Sequence, residues 1–565
     1  MSHPTGSRSK AACGTKIPPA THPIGQRTLW ILLAAIGLSS ILLRQAFPIV
    51  AIAAPHDDYL FITLAESLLQ GRWLGDYNHL THAKGVAYPV FLALNQLAGW
   101  PLKLTEHILY LGAALYFSHM LGRIVNARWL TIVTFMLLAF NPAPWSPVVG
   151  GRVIREGLYT SLTLLMFALA LRCYILPDGT SVTQALRKHW AGLSLLGLVG
   201  GVFWLTREEG VWLLPSMGML VVYGLMVRWR QGVAILPALA YLGLPLMVAQ
   251  LPIQTVNTLN YRQYGVYHHN DFHSPDFVAA YGALSRIRHD AWQRYVVFPK
   301  DARERAYRFS AAARELKPHL EGDLGQAWRA IGCDQTRTTP CPEILSGWFM
   351  WALRDAVQAA GHYQTAPQAA AFYRQLATQI NTACDQSPGE CLPRRQTLVP
   401  PWRPQYAADT LRASAQIATT LTNLHGLPIG PGEGFGTPKQ LDTMARITHQ
   451  PVAAPPPSAT LHQMAMGLAA AQRLILRYGL PLALLAGAWA TLQALRNRKL
   501  NACHAIGLAL TAAIAVRVLL LGFLEATSIP SNNMLYLSPA LPLALALIPV
   551  ACAAHLQRHT TSTAT

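Results

Sequence analysis

Three successive residues, His56-Asp57-Asp58, with Tyr59 after them, hold the densest chemistry in this 565-residue chain. One carboxylate of such a pair can accept a proton from a hydroxyl while its neighbour raises its basicity or orients it. The same residues also suit the start of a helix near Tyr59, where an Asp caps backbone N–H groups and meets the positive end of the helix dipole. That accounts for one Asp; two in a row, preceded by His, it accounts for less well. Arg152 and Arg155 lie three apart where an apolar run begins. This spacing puts both on one helical face near an N-terminus, where an anionic phosphate is welcome. Glu156 is close enough to pair with one of them, the competing reading being a structural ion pair or a snorkelling anchor. Arg207-Glu208-Glu209-Gly210 compresses three charges into a turn flanked by Trp204 and Trp212. An interfacial aromatic belt explains the tryptophans but not adjacent acids beside Arg, so a site or an ion network is expected there.

Lys84, before Gly85, offers one further cation for a phosphate. His56, His79 and His82 fit no closed metal-site spacing, so no metal is expected and surface or hydrogen-bonding roles are assigned to them. The run GPGEGFG from Gly430 to Gly436 follows no clear strand and reads as a flexible loop rather than a phosphate loop.

The elements that must carry these groups follow from composition. Hydrophobic residues make up 52% of the chain and charged ones only 13%, which no ordinary soluble enzyme shows. Apolar runs that meet the roughly 20 residues needed to cross about 30 Å of hydrocarbon recur from residue 27 to 256 and again from about 478 to 556. They predict an α-helical polytopic membrane protein of about ten spans. The net charge of +19 sits in short loops at Arg123 and Arg128, Arg187 and Lys188, Arg228 and Arg230, and Arg496 to Lys499. That is the positive-inside pattern rather than a nucleic-acid surface. Both termini then face the cytoplasm and every acidic group above faces the other side. The register requires residues 86 to 99 to lie in the interface as a juxtamembrane helix, because counting them as a span would turn the basic loops outward. The first apolar segment is too long for a signal-peptide core and reads as an uncleaved anchor.

Five regions result. Residues 1–26 are a disordered cytoplasmic tail, 27–256 an N-terminal membrane module bearing the outer loops, and 257–465 a mostly helical soluble insertion on the outer side. Residues 466–556 hold the remaining spans and 557–565 a cytoplasmic tail. Within the insertion, Cys333 with Cys341 and Cys384 with Cys391 are close pairs, candidates for disulfides in an oxidising compartment. The last outer loop adds Glu525, Asn532, Asn533 and Tyr536.

A span followed by an outer loop with the acidic pair Asp57-Asp58, an interfacial helix opened by Pro89, and outer-side Arg152 and Arg155 together resemble the GT-C superfamily of integral-membrane glycosyltransferases. That superfamily includes protein mannosyltransferases and the aminoarabinose transferase of lipid A. The resemblance covers residues 27 to about 256. It implies transfer of a sugar from a polyprenyl-phosphate donor to an extracytoplasmic acceptor (protein, lipid or glycan) at a bacterial inner membrane, without a cofactor. Asp57 or Asp58 would be the base. Arg152, Arg155, Lys84 and Arg207 would meet the donor phosphate, with His56, Glu156, Glu208, Glu209 and Tyr536 in support. The insertion between spans seven and eight departs from members that carry a soluble domain after the last span. Glu156 also stands where some relatives carry Asp. A transporter or lipid flippase is the competing class, expected to place its charges near the midplane and to show repeats. A non-catalytic envelope assembly protein is the third.

Overall fold

The computed structural model describes residues 24–175, 180–207, 209–229, 235–290, 293–400 and 402–562. Cys13 and Glu208 lie outside them. Among the described residues, eight helices are long and apolar enough to cross a bilayer. The first is α1 (Gln26–Gln45), followed by two shorter helices, α2 (Asp58–Leu69) and α3 (Ala87–Ala98). Next come α4 (Leu102–Val125), the short α5 (Arg128–Ala139), α6 (Glu156–Ala170), α7 (Val182–Thr206), α8 (Leu214–Trp229) and α9 (Ile235–Tyr264). Ala459–Arg496 and Ala502–Thr527 complete the long set, and the apolar Leu541–Ser562 follows.

The ten expected spans therefore resolve into eight long helices and two shorter apolar ones. The apolar run that begins at Arg128 yields only a short helix because Pro142 and Pro144 stop α5 at Ala139 and force a turn. The run expected to lie in the interface is α3, twelve residues long and closed by Gly99 in the left-handed region (φ 73°). Two helices run through expected boundaries. α9 continues to Tyr264, and Ala459–Arg496 passes from the linker into the membrane through a π turn at Ile475–Gly479.

The insertion has two parts with different neighbours. Its first part builds a core from Phe277 and Tyr281 on α10 (Pro275–Ser285), Phe349 and Leu353 on Ser346–Ala359, and Phe372 and Leu376 on Ala366–Gln386. Ala83, from the connection between α2 and α3, belongs to that same core. The sulfurs of Cys333 and Cys341 are bonded there, as are those of Cys384 and Cys391, with Cα separations of 5.8 and 5.5 Å. In the second part, Ile417 and Leu421 of Tyr406–Asn423 join the core of the membrane helices.

Three stretches of extended backbone meet at the exit of α1. Val50 N–H donates to the Gly151 carbonyl at 2.9 Å, while Ala53 and Phe435 exchange bonds with Phe435 and Ala51 carbonyls, each at 2.9 Å. The Gly-rich run expected to be flexible is thus pinned. A Cβ on Gly434 would stand 2.7 Å from the Ala51 carbonyl oxygen, so only glycine permits the approach. Gly85 plays the same part nearby, since a Cβ there would collide with the Leu205 carbonyl at the end of α7. Gly85→Ala is expected to lower the melting temperature of the purified chain, because overpacking costs about 1–3 kcal/mol of stability. An unchanged melting curve would contradict this close packing.

Candidate active site

α2 begins at Asp58, and Asp57 occupies the position before it. Asp57 has φ −132° and ψ −107° and its side chain makes no capping hydrogen bond, so helix initiation does not explain the acidic pair. Each carboxylate instead takes a cation from elsewhere in the chain. Lys84 Nζ pairs with Asp57 Oδ1. Arg152 grips Asp58 as a fork, Nε to Oδ1 at 3.2 Å and Nη2 to Oδ2 at 2.5 Å. Bidentate contacts of this kind fix geometry as well as charge.

The two acids differ in access. The Asp58 side chain has no exposed surface, whereas 53% of that of Asp57 is open to solvent. Burial holds the Asp58 carboxyl above its ordinary range despite the Arg152 fork. For Asp57, burial among its neighbours also pushes upward, but the nearby Lys84, Arg152 and Arg155 outweigh it and bring the carboxyl below its usual range. Asp57 is thus half open to solvent beside a concentration of cationic side chains.

Behind Arg152 stands a second layer. Lys103 Nζ donates to the Arg152 carbonyl at 2.6 Å and to Glu106 at 2.7 Å, and Tyr88 of α3 donates to Glu106 at 2.8 Å. Lys84 is covered by rings, its Nζ 5.3 Å from the centre of Phe61 and 5.7 Å from that of Trp351.

The turn after α7 forms the other half. Arg207 is 1% exposed, pairs with Glu156, lies 3.4 Å from Glu209, and stacks its guanidinium near Tyr159 and Tyr536. Arg517, buried in Ala502–Thr527, reaches Glu209 at 3.0 Å and donates twice to the Tyr536 carbonyl, at 3.0 and 2.8 Å. Burial acts against the Glu209 charge, yet Arg207 and Arg517 overcome it and lower that carboxyl to about 2. Arg207 is thus enclosed by acids and rings, a ligand of the protein itself.

Arg152 and Arg155 do not share a helical face, in contrast to the expectation from their spacing. α6 starts only at Glu156, Arg152 lies in the extended bridge with Val50, and Arg155 takes the N-cap position, half-buried and within electrostatic reach of Asp57 and Glu209. Glu525 is also elsewhere. It clasps the insertion through Arg294 and Tyr295 and caps the backbone N–H groups of Ser531 and Asn532.

Among the described residues, Asp57, Asp58, Glu106, Glu156 and Glu209 face Arg44, Lys84, Lys103, Arg152, Arg155, Arg207 and Arg517, a surplus of positive charge. Such a cluster is suited to an anionic group beside an accessible carboxylate. Lys103, Glu106 and Arg517 are absent from the sequence-stretch candidates above. Arg517 carried a usable signal, an ion inside an apolar run, where burial costs several kcal/mol unless paired or functional. Of the surface or hydrogen-bonding roles expected for the histidines, the structure shows contacts to carboxylates. His82 is fully buried near Asp271 and His268, and His56 and His79 converge on Asp355.

Arg517→Met removes one of the two cations on Glu209, with Arg207 still in place, and is expected to cost about 1–3 kcal/mol in thermal unfolding; a loss within experimental scatter would contradict the pairing. Because Glu209 is depressed from 4.5 to about 2, its contribution is complete above about 4.5 and is lost as pH falls toward 2. Melting curves between those pH values should therefore fall less steeply in Glu209→Gln than in the parent chain.

No family model matches this chain, and no curated protein matches it. Among solved structures it is similar to ArnT from Cupriavidus metallidurans in the apo state, with 16% identity over 93% of this chain and 78% of that one and a TM-score of 0.31. It is similar to the same protein bound to undecaprenyl phosphate, with 17% identity, the same coverage and a TM-score of 0.28. The oligosaccharyltransferase of Archaeoglobus fulgidus in the apo form is a further similar structure, at 12% identity over 76% of this chain and 65% of that one, with a TM-score of 0.28.

Proposed function

We propose that this chain is a membrane glycosyltransferase that moves a sugar from a polyprenyl-phosphate donor to an acceptor hydroxyl or amine on the side of the insertion, with Asp57 as the base. The observation that carries this reading is the unequal state of the acidic pair. Asp58 is sealed and forked by Arg152, while Asp57 is open and held only at one oxygen by Lys84. Asp58 and Arg152 then act as positioning residues that fix where α2 begins and hence where Asp57 points.

In the proposed reaction the acceptor proton passes to Asp57 as the acceptor heteroatom bonds to the anomeric carbon. The bond from that carbon to the phosphate oxygen breaks, and polyprenyl phosphate leaves with the electron pair. Positive charge stabilises that leaving group better than any nucleotide pocket would. Lys84 is the cation closest to Asp57, and Arg155 lies within electrostatic reach of it. The same reading puts both termini in the cytoplasm and the insertion outside a bacterial inner membrane, following the basic loops. The resemblance to GT-C enzymes points the same way.

Mass spectrometry of glycans and glycolipids from cells lacking the protein is expected to reveal a missing sugar, restored by the parent chain. Asp57→Asn should restore it about 10²–10⁴-fold more slowly with an unchanged melting temperature, the size of a lost general base. Asp58→Asn should instead show a lowered melting temperature together with lost transfer. Full transfer by folded Asp57→Asn would sink the proposal, and unchanged glycans with altered solute uptake would favour transport.

A further inference from the structure

We infer that His56, His79 and Asp355 form a zinc site that clamps the insertion onto the loop bearing Asp57. The three residues come from separate pieces of chain. His56 follows the exit of α1, His79 lies between α2 and α3, and Asp355 belongs to helix Ser346–Ala359 of the insertion. Their ligand atoms all lie within 4.8 Å of one another.

The distances leave room for an ion between the three groups. His79 Nε2 is 3.2 Å and His56 Nε2 3.6 Å from the same oxygen, Asp355 Oδ1. Ligands at roughly 2.0–2.2 Å from a tetrahedral ion stand about 3.3–3.6 Å apart, whereas a charge-assisted hydrogen bond closes to about 2.7–2.9 Å. His56 Nε2 and Asp355 Oδ1 are shielded from solvent and have no hydrogen-bond partner within the protein. The other carboxylate oxygen accepts from Trp328 Nε1 at 2.9 Å, which orients Oδ1 toward the histidines. Trp328 and Trp351 hold the His56 ring edge-on, each at 5.2 Å. Side-chain exposures of 27, 21 and 17% for His56, His79 and Asp355 leave a path for an ion and a fourth ligand from water.

Two imidazoles with one carboxylate suit zinc, while magnesium and calcium favour oxygen donors. The neighbouring trio of His82, His268 and Asp271 differs in one respect. Asp271 already takes the Arg354 guanidinium at 2.8 Å, so its charge is answered without an ion. Trp351 and Asp355 are four apart on one helix, and Trp351 covers Lys84. An ion on Asp355 therefore also fixes the ring above Lys84. The site stands on this geometry alone, independent of the transfer reading.

The full chain, purified in detergent, stripped with a chelator and re-equilibrated with zinc, should hold about one equivalent more than His79→Gln or Asp355→Asn by elemental analysis. Zinc should raise the melting temperature of the parent chain and of a His268→Gln control, and leave both site variants unmoved. Cobalt in its place should give the visible absorption of a tetrahedral ion, lost in His79→Gln even if Asp355→Asn fails to fold. Equal zinc in parent and His79→Gln chains would overturn the inference. So would stabilisation that follows pH but not zinc, the mark of a protonated ion triad.

Discussion

A charge carried to the edge of the hydrocarbon must be answered where it lies, and the fork from Arg152 answers the sealed Asp58 at both oxygens. The pair ties the start of α2 to the segment before α6, and a backbone bridge from Val50 to Arg152 ties the same segment to the exit of α1. With these fixed, the Lys103 and Glu106 layer has a carbonyl to hold, and Gly434 can bring the last part of the insertion against Ala51. The rest of the cluster is assembled around one neutralised ion pair.

The same constraint sorts the remaining charges by what they can still do. Arg207 is spent on Glu156, Glu209 and two rings, and Arg517 on Glu209 and the Tyr536 carbonyl. Both guanidinium groups are thus engaged by the protein's own acids. Asp57 is the accessible carboxylate of the acidic pair, and its partner Lys84 is a point charge, without the fixed fork of an Arg, held between the Phe61 and Trp351 rings. On the proposed reading, a bound lipid phosphate would free the carboxylate it needs, and competition between two anions for one ammonium would link donor binding to readiness of the base.

The long spans were legible because twenty apolar residues leave few alternatives, and the insertion was legible as a change of composition. α5 was overestimated because its apolar residues run on through Pro142 and Pro144, where backbone sterics and not hydropathy end the helix. The acidic pair was legible as a cluster of charge, yet not the unequal burial of its two members, which depends on Arg152, 94 positions away. Spacing misled for Arg152 and Arg155, since it assumed a helix that begins four residues too early. For the histidines no spacing could have served. Asp355 reaches them through tertiary packing of the insertion.

The central claim is that the cationic cluster beside Asp57 receives a lipid phosphate. Native mass spectrometry of the intact chain in lipid nanodiscs, titrated with polyprenyl phosphate and with the uncharged polyprenol of equal length, tests it most directly. The account predicts retention of the phosphate form and little of the alcohol, because the surplus positive charge answers the phosphate and not the tail. Equal retention of both, or of neither, would contradict it.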